Sequence, residues 1–183
     1  MNIDATLPAL SETPRRTAPA PTEWRREPTE AIIRYLMKSH HDWLREALPR
    51  IEHGFQLVLD EHGREHGVEL RAFQQAYLKI HAELLPHLRE EEERIFSEFQ
   101  AETHAGDLVG GCGKIAEEHR FLGTRLHRLA VMTRQYRIPP YACPAGEALF
   151  AELVELDGRL QEHIAIEDDI LLPRLLELLQ RRS

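Results

Sequence analysis

The sequence predicts an all-α protein, an up-down-up-down antiparallel four-helix bundle. Apolar residues recur at intervals of three and four in four stretches between residues 28 and 183, as they do on the buried face of a helix. Short segments rich in glycine and proline separate the stretches, which favours antiparallel neighbours. Histidines and glutamates interrupt the apolar faces at positions that a bundle brings to one level. These three observations together predict the fold class.

The first helix is expected to follow a flexible, proline-rich tail over residues 1–27, so that the helical domain covers 28–183. Thr29 is a suitable N-cap, and Glu30 favours the first turn. The segment GREHG at 63–67 is expected to end this helix. Its predicted buried face consists of residues with helical spacing: Met37, His41, Leu44, Leu48, Ile51, Phe55 and Leu59.

Three further helices follow the same spacing. The second is expected to end near Ala105 and Gly106, and its face consists of Phe73, Tyr77, Ile80, Leu84, His87, Glu91 and Ile95. Gly110, Gly111 and Gly113 predict a flexible connection. The third helix then ends before Pro139 and Pro140, with a face of Ile115, His119, Leu122, Leu126 and Leu129. Pro144 fits the first turn of the fourth, whose face consists of Leu149, Leu153, Leu156, Leu160, His163, Glu167, Ile170 and Leu171.

The spacing His-x-x-x-Glu occurs twice on these faces, as His87 with Glu91 and as His163 with Glu167. Residues four apart lie one above the other on a helix, so each pair can present an imidazole and a carboxylate to one point. Such pairs on two facing helices could hold two metal ions.

The three expected turns place the candidate ligands at one level. Residues of an antiparallel pair face each other when they are equally far from the turn. Residue 89, the centre of the second-helix pair, has its midpoint with His41 at residue 65 and its midpoint with His119 at residue 104. Residue 165, the centre of the fourth-helix pair, has its midpoint with His119 at residue 142. All three midpoints fall in predicted connections, so we expect six metal ligands in one layer: His41, His87, Glu91, His119, His163 and Glu167.

Four other residues have two interpretations each. His62 lies 21 positions after His41, about 31 Å along a straight helix, and is interpreted as a histidine at the end of the bundle rather than a ligand. Glu83 and Glu118 could support the ligands or handle protons, although a solvated surface position is favoured for both. Gly123, four positions after His119, would leave open space beside the metals or allow close helix packing.

Composition excludes several classes of protein. The chain has 23 basic and 31 acidic residues and a net charge of -8, which argues against nucleic-acid binding. No stretch approaches the roughly 20 apolar residues of a membrane helix, and no signal peptide is evident, so a soluble, cytoplasmic protein is expected. The two cysteines suit a reducing compartment. The sequence does not indicate an oligomeric state.

A set of four imidazoles and two carboxylates without thiolate suits iron, manganese or zinc better than calcium or magnesium. Iron is the predicted metal. If both glutamates bridge, two Fe ions in an oxo- or hydroxo-bridged di-iron centre would each keep a position open for O2 or NO.

The sequence resembles the hemerythrin-like HHE superfamily, and within it the YtfE-like iron-sulfur cluster repair di-iron proteins. The segments that carry the resemblance are AIIRYLMKSHHDWLREALPRI, HAELLPHLREEEERIF, EEHRFLG and LQEHIAIEDDILLPR. The resemblance implies the same six ligands. The N-terminal cysteine domain usual in that group is not found here, which leaves thiol-dependent iron delivery in doubt.

The resemblance implies a non-haem di-iron protein of nitrosative and oxidative stress defence. Such a protein would repair damaged iron-sulfur clusters by supplying iron and would react with NO; an NO-reducing enzymatic activity is left open. The implied partners are O2 or NO and damaged iron-sulfur proteins. The alternative is an O2- or NO-binding carrier or sensor without repair activity. A ferritin-like oxidase would favour Glu-x-x-His pairs, and a helical interaction module would use its histidines only for hydrogen bonds.

Overall fold

The computed structural model describes residues 22–97 and 105–182, and all regular secondary structure in these ranges is helical. The predicted all-α class is therefore confirmed. The α-helices are α1 (Thr29–Tyr35), α2 (Asp42–Glu90), α3 (Ala105–Met132), α4 (Pro144–Ile166) and α5 (Leu172–Arg182). Three π-helical segments adjoin them, π1 (Leu36–His41), π2 (Glu91–Phe96) and π3 (Glu167–Leu171).

Helix α2 keeps helical hydrogen bonding over 49 residues, through the segment at which the sequence predicted a turn. The prediction that helical structure ends at Gly63 is therefore wrong. A straight helix of this length would span about 74 Å. Nevertheless, the Tyr77 hydroxyl donates to the Leu48 carbonyl at 2.5 Å, and the Arg45 guanidinium lies 2.7 Å from the carboxylate of Glu92. These pairs are centred between residues 62 and 69, so the two halves of α2 lie antiparallel and the chain reverses within the helical segment.

The glycines at 110, 111 and 113 lie inside α3, so the flexible connection predicted there is wrong. Gly111 faces the end of the second-helix region, where a Cβ atom would collide with the side chain of Ile95. Glycine therefore permits a close approach between α3 and π2 at this level. Ala105, where the preceding helix was expected to end, instead begins α3, and residues 98–104 lie outside the described residues.

The connection from α3 to α4 turns first through left-handed backbone and then at the prolines, where the Ala142 amide donates to the Pro139 carbonyl at 3.0 Å. Arg134, Gln135 and Tyr136 have φ values of 52°, 62° and 58°. The Gln135 amide donates to the Ala130 carbonyl at 2.6 Å, and the Tyr136 amide donates to the Thr133 hydroxyl at 3.1 Å. These bonds satisfy groups that the helix end would otherwise leave free. Pro144 occupies the first turn of α4 as predicted.

Two apolar clusters form the core, and the polar residues of interest lie between them. The larger cluster includes Leu44, Leu88, Leu122 and Leu160. The smaller includes residues from the same helical runs, such as Leu36, Ile95, Ile115 and Ile166. The four runs therefore each pass from one apolar cluster to the other across a buried polar layer.

The segment preceding α1 packs on the bundle through a short 3-10 turn, Thr22–Arg26. Trp24 contacts Tyr35 with ring centroids 4.2 Å apart, and Arg174 donates to the carbonyls of Trp24, Arg25 and Glu27. The tail predicted for residues 1–27 otherwise lies outside the described residues, and the domain boundary at residue 28 stays a prediction. Within the described ranges, no helix combines the length and apolar character needed to span a membrane.

Candidate metal centre

The structure brings the six predicted site residues into the polar layer between the two apolar clusters. None of them exposes more than 3% of its surface: His41, His87, Glu91, His119, His163 and Glu167. Burying this many ionisable groups is costly unless each finds an opposite charge or a metal ion. The layer is therefore the candidate functional site.

Glu91 stands at the middle of the layer, with two histidines beside each carboxylate oxygen. Its Oε1 lies 2.9 Å from Nε2 of His87 and 3.6 Å from Nε2 of His119. Its Oε2 lies 3.4 Å from Nε2 of His41 and 3.7 Å from Nε2 of His163. The carboxylate therefore separates the histidines into two pairs.

Glu167 spans the two pairs from the opposite side. Its Oε2 lies 3.1 Å from Nε2 of His119 and 3.3 Å from Nε2 of His163, which belong to different pairs. Both carboxylates are thus placed between two groups of imidazole nitrogens.

All three π-helical segments begin or end at a residue of this layer. His41 ends π1, Glu91 begins π2 and Glu167 begins π3. A π turn holds one residue more than an α turn and therefore re-aims the side chains that follow, which is why such turns are frequent at functional sites. The period of apolar residues in the sequence gave no indication of them.

Carboxylates hold three of the four imidazole rings by their other nitrogen. Nδ1 of His41 donates to Glu92 at 2.7 Å, and Nδ1 of His119 donates to Asp168 at 2.7 Å. Because a carboxylate only accepts, each bond fixes the proton on Nδ1 and leaves the Nε2 lone pair facing the centre. Sequence analysis missed both acids, although each directly follows a site glutamate.

Glu118 supports the third of these rings, that of His87. It accepts the Nδ1 proton of His87 at 2.9 Å, so one of its two predicted roles, support of a site residue, is seen in the structure. Glu83 instead forms a two-pronged ion pair with Arg125 at the surface. Both glutamates line a cavity of about 570 Å³ that reaches His87.

His163 is the exception, since its Nδ1 has no hydrogen-bond partner among the described residues. Its ring lies 5.8 Å from that of His40, centroid to centroid. His40 is itself buried, and its Nδ1 lies 3.2 Å from the Arg159 carbonyl. Its position off the apolar face of the first helix predicted a surface or supporting role for His40, and the structure shows that it is buried.

Opposite charges dominate the ionisation of the layer. Burial alone would lower the pKa of His163, but the charge and contacts of Glu167 and Glu91 outweigh this effect and raise the pKa to about 10. The pKa of Glu91 is held well below its ordinary value: burial would raise it, and the charge of His87 with the contacts of His119 and His163 outweighs that effect. Burial and the charge of His163 lower the pKa of His41. Without a cation, protonated imidazoles therefore balance the carboxylates.

The central atoms fit a metal better than they fit one another. They are buried and close together, yet they lack hydrogen-bond geometry: Nε2 of His41, His87, His119 and His163, and both oxygens of Glu91 and Glu167. Buried polar atoms are normally paired, so eight unpaired lone-pair atoms around one space call for a shared partner. Nitrogen and oxygen donors of this kind suit iron, manganese or zinc.

Gly123 lies beside this layer, one turn after His119. A Cβ atom there would meet nothing within 4 Å outside its own helix. Close helix packing therefore does not require glycine at this position.

Comparison with known families agrees with this geometry. A model of the hemerythrin HHE cation-binding domain matches residues 32–175. The chain belongs to the hemerythrin HHE family. The match includes all six residues of the layer, and it confirms the family resemblance predicted from the sequence.

Relatives within the HHE family carry a more specific name. An iron-sulfur cluster repair protein YtfE of Escherichia coli O81 (strain ED1a) is 29% identical over 174 residues, which cover 95% of this chain and 76% of the relative. A protein of the same name from Cronobacter sakazakii (strain ATCC BAA-894) is also 29% identical over 174 residues, with the same coverage. The similarity therefore extends over nearly the whole chain.

His62 lies away from the HHE layer. Its ring is 5.7 Å from that of Tyr141, near the start of α4. This position agrees with its interpretation as a histidine at the end of the bundle.

Proposed function

We propose that this HHE protein is a non-haem di-iron protein of nitrosative and oxidative stress defence. It would repair damaged iron-sulfur clusters by supplying iron, and it would react with NO. The observation that carries the proposal is the set of eight unpaired, buried nitrogen and oxygen atoms around one space. The name shared by the YtfE relatives supports cluster repair as the purpose of the site.

The same proposal includes an up-down-up-down four-helix arrangement. The antiparallel contacts between the halves of α2 support it, because they make this helix the equivalent of two. Helices α3 and α4 would provide the other two rods.

The six residues would hold two iron ions joined by an oxo or hydroxo bridge. The pairing of nitrogens around Glu91 supports an arrangement in which His87 and His119 would hold one ion, and His41 and His163 the other. Glu91 and Glu167 would bridge, since each lies between the two pairs. When bound, two irons supply redox chemistry toward O2 and NO and a source of iron for transfer.

The protein itself contributes orientation and exclusion of water. Glu92, Glu118 and Asp168 hold three rings with Nε2 inward. The apolar clusters above and below the layer keep bulk water from it, which strengthens every electrostatic contact inside. Glu118 also lines the cavity that reaches His87, so the carboxylate that holds this ring is partly exposed to solvent.

The test measures metal content and repair in the same preparation. Full-length protein purified anaerobically with ferrous iron should hold two irons per chain and restore the activity of a dehydratase whose [4Fe-4S] cluster has been damaged by NO. A Glu167→Ala variant should hold less iron and restore little activity, whereas Glu93→Ala, at an exposed neighbour of the layer, should match the parent protein. Full iron loading without any restoration would contradict the repair role.

A carrier or sensor of O2 or NO without repair activity is the second candidate. The cavity beside His87 and the open space at Gly123 favour it, because both leave room for a small ligand near the layer. Reversible spectral change of the reduced protein on gas exposure, with no iron released to a chelator, would support this function instead.

A further inference from the structure

We propose that Glu61, His62 and Cys143 form a second cation site, separate from the HHE layer, for a borderline divalent transition-metal ion such as Zn²⁺. One donor atom from each residue lies within 4.8 Å of the others. His62 follows His41 by 21 positions, about 31 Å along a straight helix, so these atoms cannot share the central ions.

The chain reversal creates this cluster. Glu61 and His62 lie in α2 close to the point at which its two halves turn back on each other. Cys143 is the N-cap residue of α4 and follows them by more than eighty positions in the sequence. A metal ion held by all three would connect the reversal of α2 to the start of α4.

The imidazole of His62 has a buried nitrogen that no described residue hydrogen-bonds. Its Nε2 is buried and has no hydrogen-bond partner among the described residues. Tyr141 lies beside the ring at a tilt of 58° and is itself stacked on His66, with centroids 3.5 Å apart and planes 4° from parallel. An unpaired buried nitrogen beside a buried thiol is a natural pair of ligands.

Burial differs among the three residues in a way that suits an exchangeable site. Cys143 is 9% exposed and is a free cysteine. His62 is half-buried, and Glu61 is exposed. The buried sulfur and nitrogen would form the rigid part of the site, while the carboxylate would close it from the solvent side.

The chemistry of the donors selects the class of ion. Thiolate and imidazole prefer Zn²⁺ and similar ions over Ca²⁺ and Mg²⁺. Zinc bonds of about 2.0 to 2.3 Å place tetrahedral ligand atoms about 3.5 Å apart. The three donor atoms already lie within 4.8 Å of one another, so metal binding would require only a small contraction of the cluster. Three protein ligands leave a fourth position for water.

The experiment uses Co²⁺ as a spectroscopic substitute for Zn²⁺ in the full-length, iron-loaded protein. Cobalt bound to a thiolate shows a sulfur-to-metal charge-transfer band, and none of the six HHE residues is a cysteine. We expect one such cobalt ion per chain, displaced by Zn²⁺. Cys143→Ser should abolish the band, while His62→Gln and Glu61→Gln should weaken Co²⁺ binding at least tenfold.

Two variants serve as matched controls. Cys112→Ser removes the other thiol of the chain, and His53→Gln changes an exposed histidine of the same helix; both should keep the band and the affinity. Because Cys143 is buried, His62→Gln and Glu61→Gln provide the test if Cys143→Ser does not fold.

The proposal is overturned if no thiolate band appears, if the band disappears in Cys112→Ser but persists in Cys143→Ser, or if the band of His62→Gln saturates at the same cobalt concentration as that of the parent protein. Each of these results is independent of the HHE layer, because the band reports a sulfur ligand whether or not the six residues hold iron.

Discussion

At the scale of single residues, the orientation of the imidazoles depends on carboxylates that lie outside the six residues of the layer. Asp168 and Glu92 fix the Nδ1 protons of His119 and His41. Arg45 in turn holds Glu92 at 2.7 Å. A ring oriented in this way would meet a metal ion without first losing rotational freedom, and the nearby charge would make its nitrogen a stronger donor.

Removing one of these orienting acids should weaken metal binding without removing a ligand. We expect Asp168→Ala to lower iron affinity about 10- to 100-fold, the range seen for such partners. Competition against a chelator of known affinity measures the change. Glu93→Ala, an exposed acid of π2, should leave affinity unchanged; equal affinities for the two variants would show that Asp168 does not act through His119.

Protons and metal ions should compete for the same nitrogens. Because the pKa of His163 in the metal-free protein is raised to about 10, this ring is protonated at neutral pH and must lose its proton to bind iron. Metal loading near pH 7 should therefore release protons, and metal affinity should rise with pH up to about 10. Calorimetry in buffers of different ionisation enthalpy measures the release.

The stability of the metal-free protein should change in the opposite direction. A histidine whose folded pKa exceeds its ordinary 6.5 contributes stability that is complete below pH 6.5 and is lost as the pH rises through about 10. Denaturant unfolding of the metal-free protein across this range should show a declining contribution. A metal affinity that falls with pH over this range would contradict the first expectation, and a metal-free stability that rises over it would contradict the second.

At the scale of helices, α3 shows that glycine has more than one role within one helix. Gly111 permits contact with Ile95, whereas Gly113 and Gly123 face open space. A helical glycine costs about 1 kcal/mol relative to alanine. At Gly111, close packing against Ile95 offsets this cost. At Gly113 and Gly123, no packing contact offsets it.

Alanine substitutions should therefore separate these glycines. We expect Gly113→Ala and Gly123→Ala to raise the free energy of unfolding by about 0.5 to 1 kcal/mol. Gly111→Ala should lower it by about 1 to 3 kcal/mol, because Ile95 is buried and must move. Denaturant unfolding of the metal-free proteins measures all three; a gain at Gly111 equal to that at Gly113 would show that the contact is unimportant.

At the scale of the whole molecule, a charged layer divides the apolar core. The larger cluster lies on one side and the smaller on the other, so packing alone does not join them through the layer. A metal centre would link all four helical runs at this level, because each run contributes a donor to the layer. Its binding energy would then be added to the stability of the folded state.

Removal of the metal should lower thermal stability by a large amount. For free iron at 1,000 times its dissociation constant, linkage predicts about 4 kcal/mol, or about 10 °C in a protein of this size. Calorimetric scans of iron-loaded and metal-free protein measure the difference. Glu167→Ala, which removes one of the two carboxylates proposed to bridge, should show little response to iron; an equal response in both proteins would place the binding elsewhere.

The sequence allowed much of this molecule to be predicted, because a helix with one buried face has apolar residues at regular intervals in its sequence. The spacing of three and four identified the apolar faces, and the interruptions by His41, His119 and the two His-x-x-x-Glu pairs identified the layer. Symmetry about the expected turns placed these residues at one level, where the structure brings them together.

Local glycine patterns were a poorer guide than the apolar period. Gly63 and Gly67 were expected to interrupt a helix, but the backbone there stays helical while the chain reverses. Gly110 and Gly111 were expected to form a loop, but they lie in α3. A glycine lowers the local preference for helix by about 1 kcal/mol, and packing of the neighbouring residues easily outweighs that amount.

Sequence by itself determined the all-α class, the helical faces and the group of side chains in the buried layer, because all of these depend on the order of apolar and polar residues along one chain. Tertiary structure alone decided the π turns, the acids that orient the rings and the meeting of Cys143 with His62. Each of these depends on how separate helices approach in space, and contacts between distant segments leave no period in the sequence.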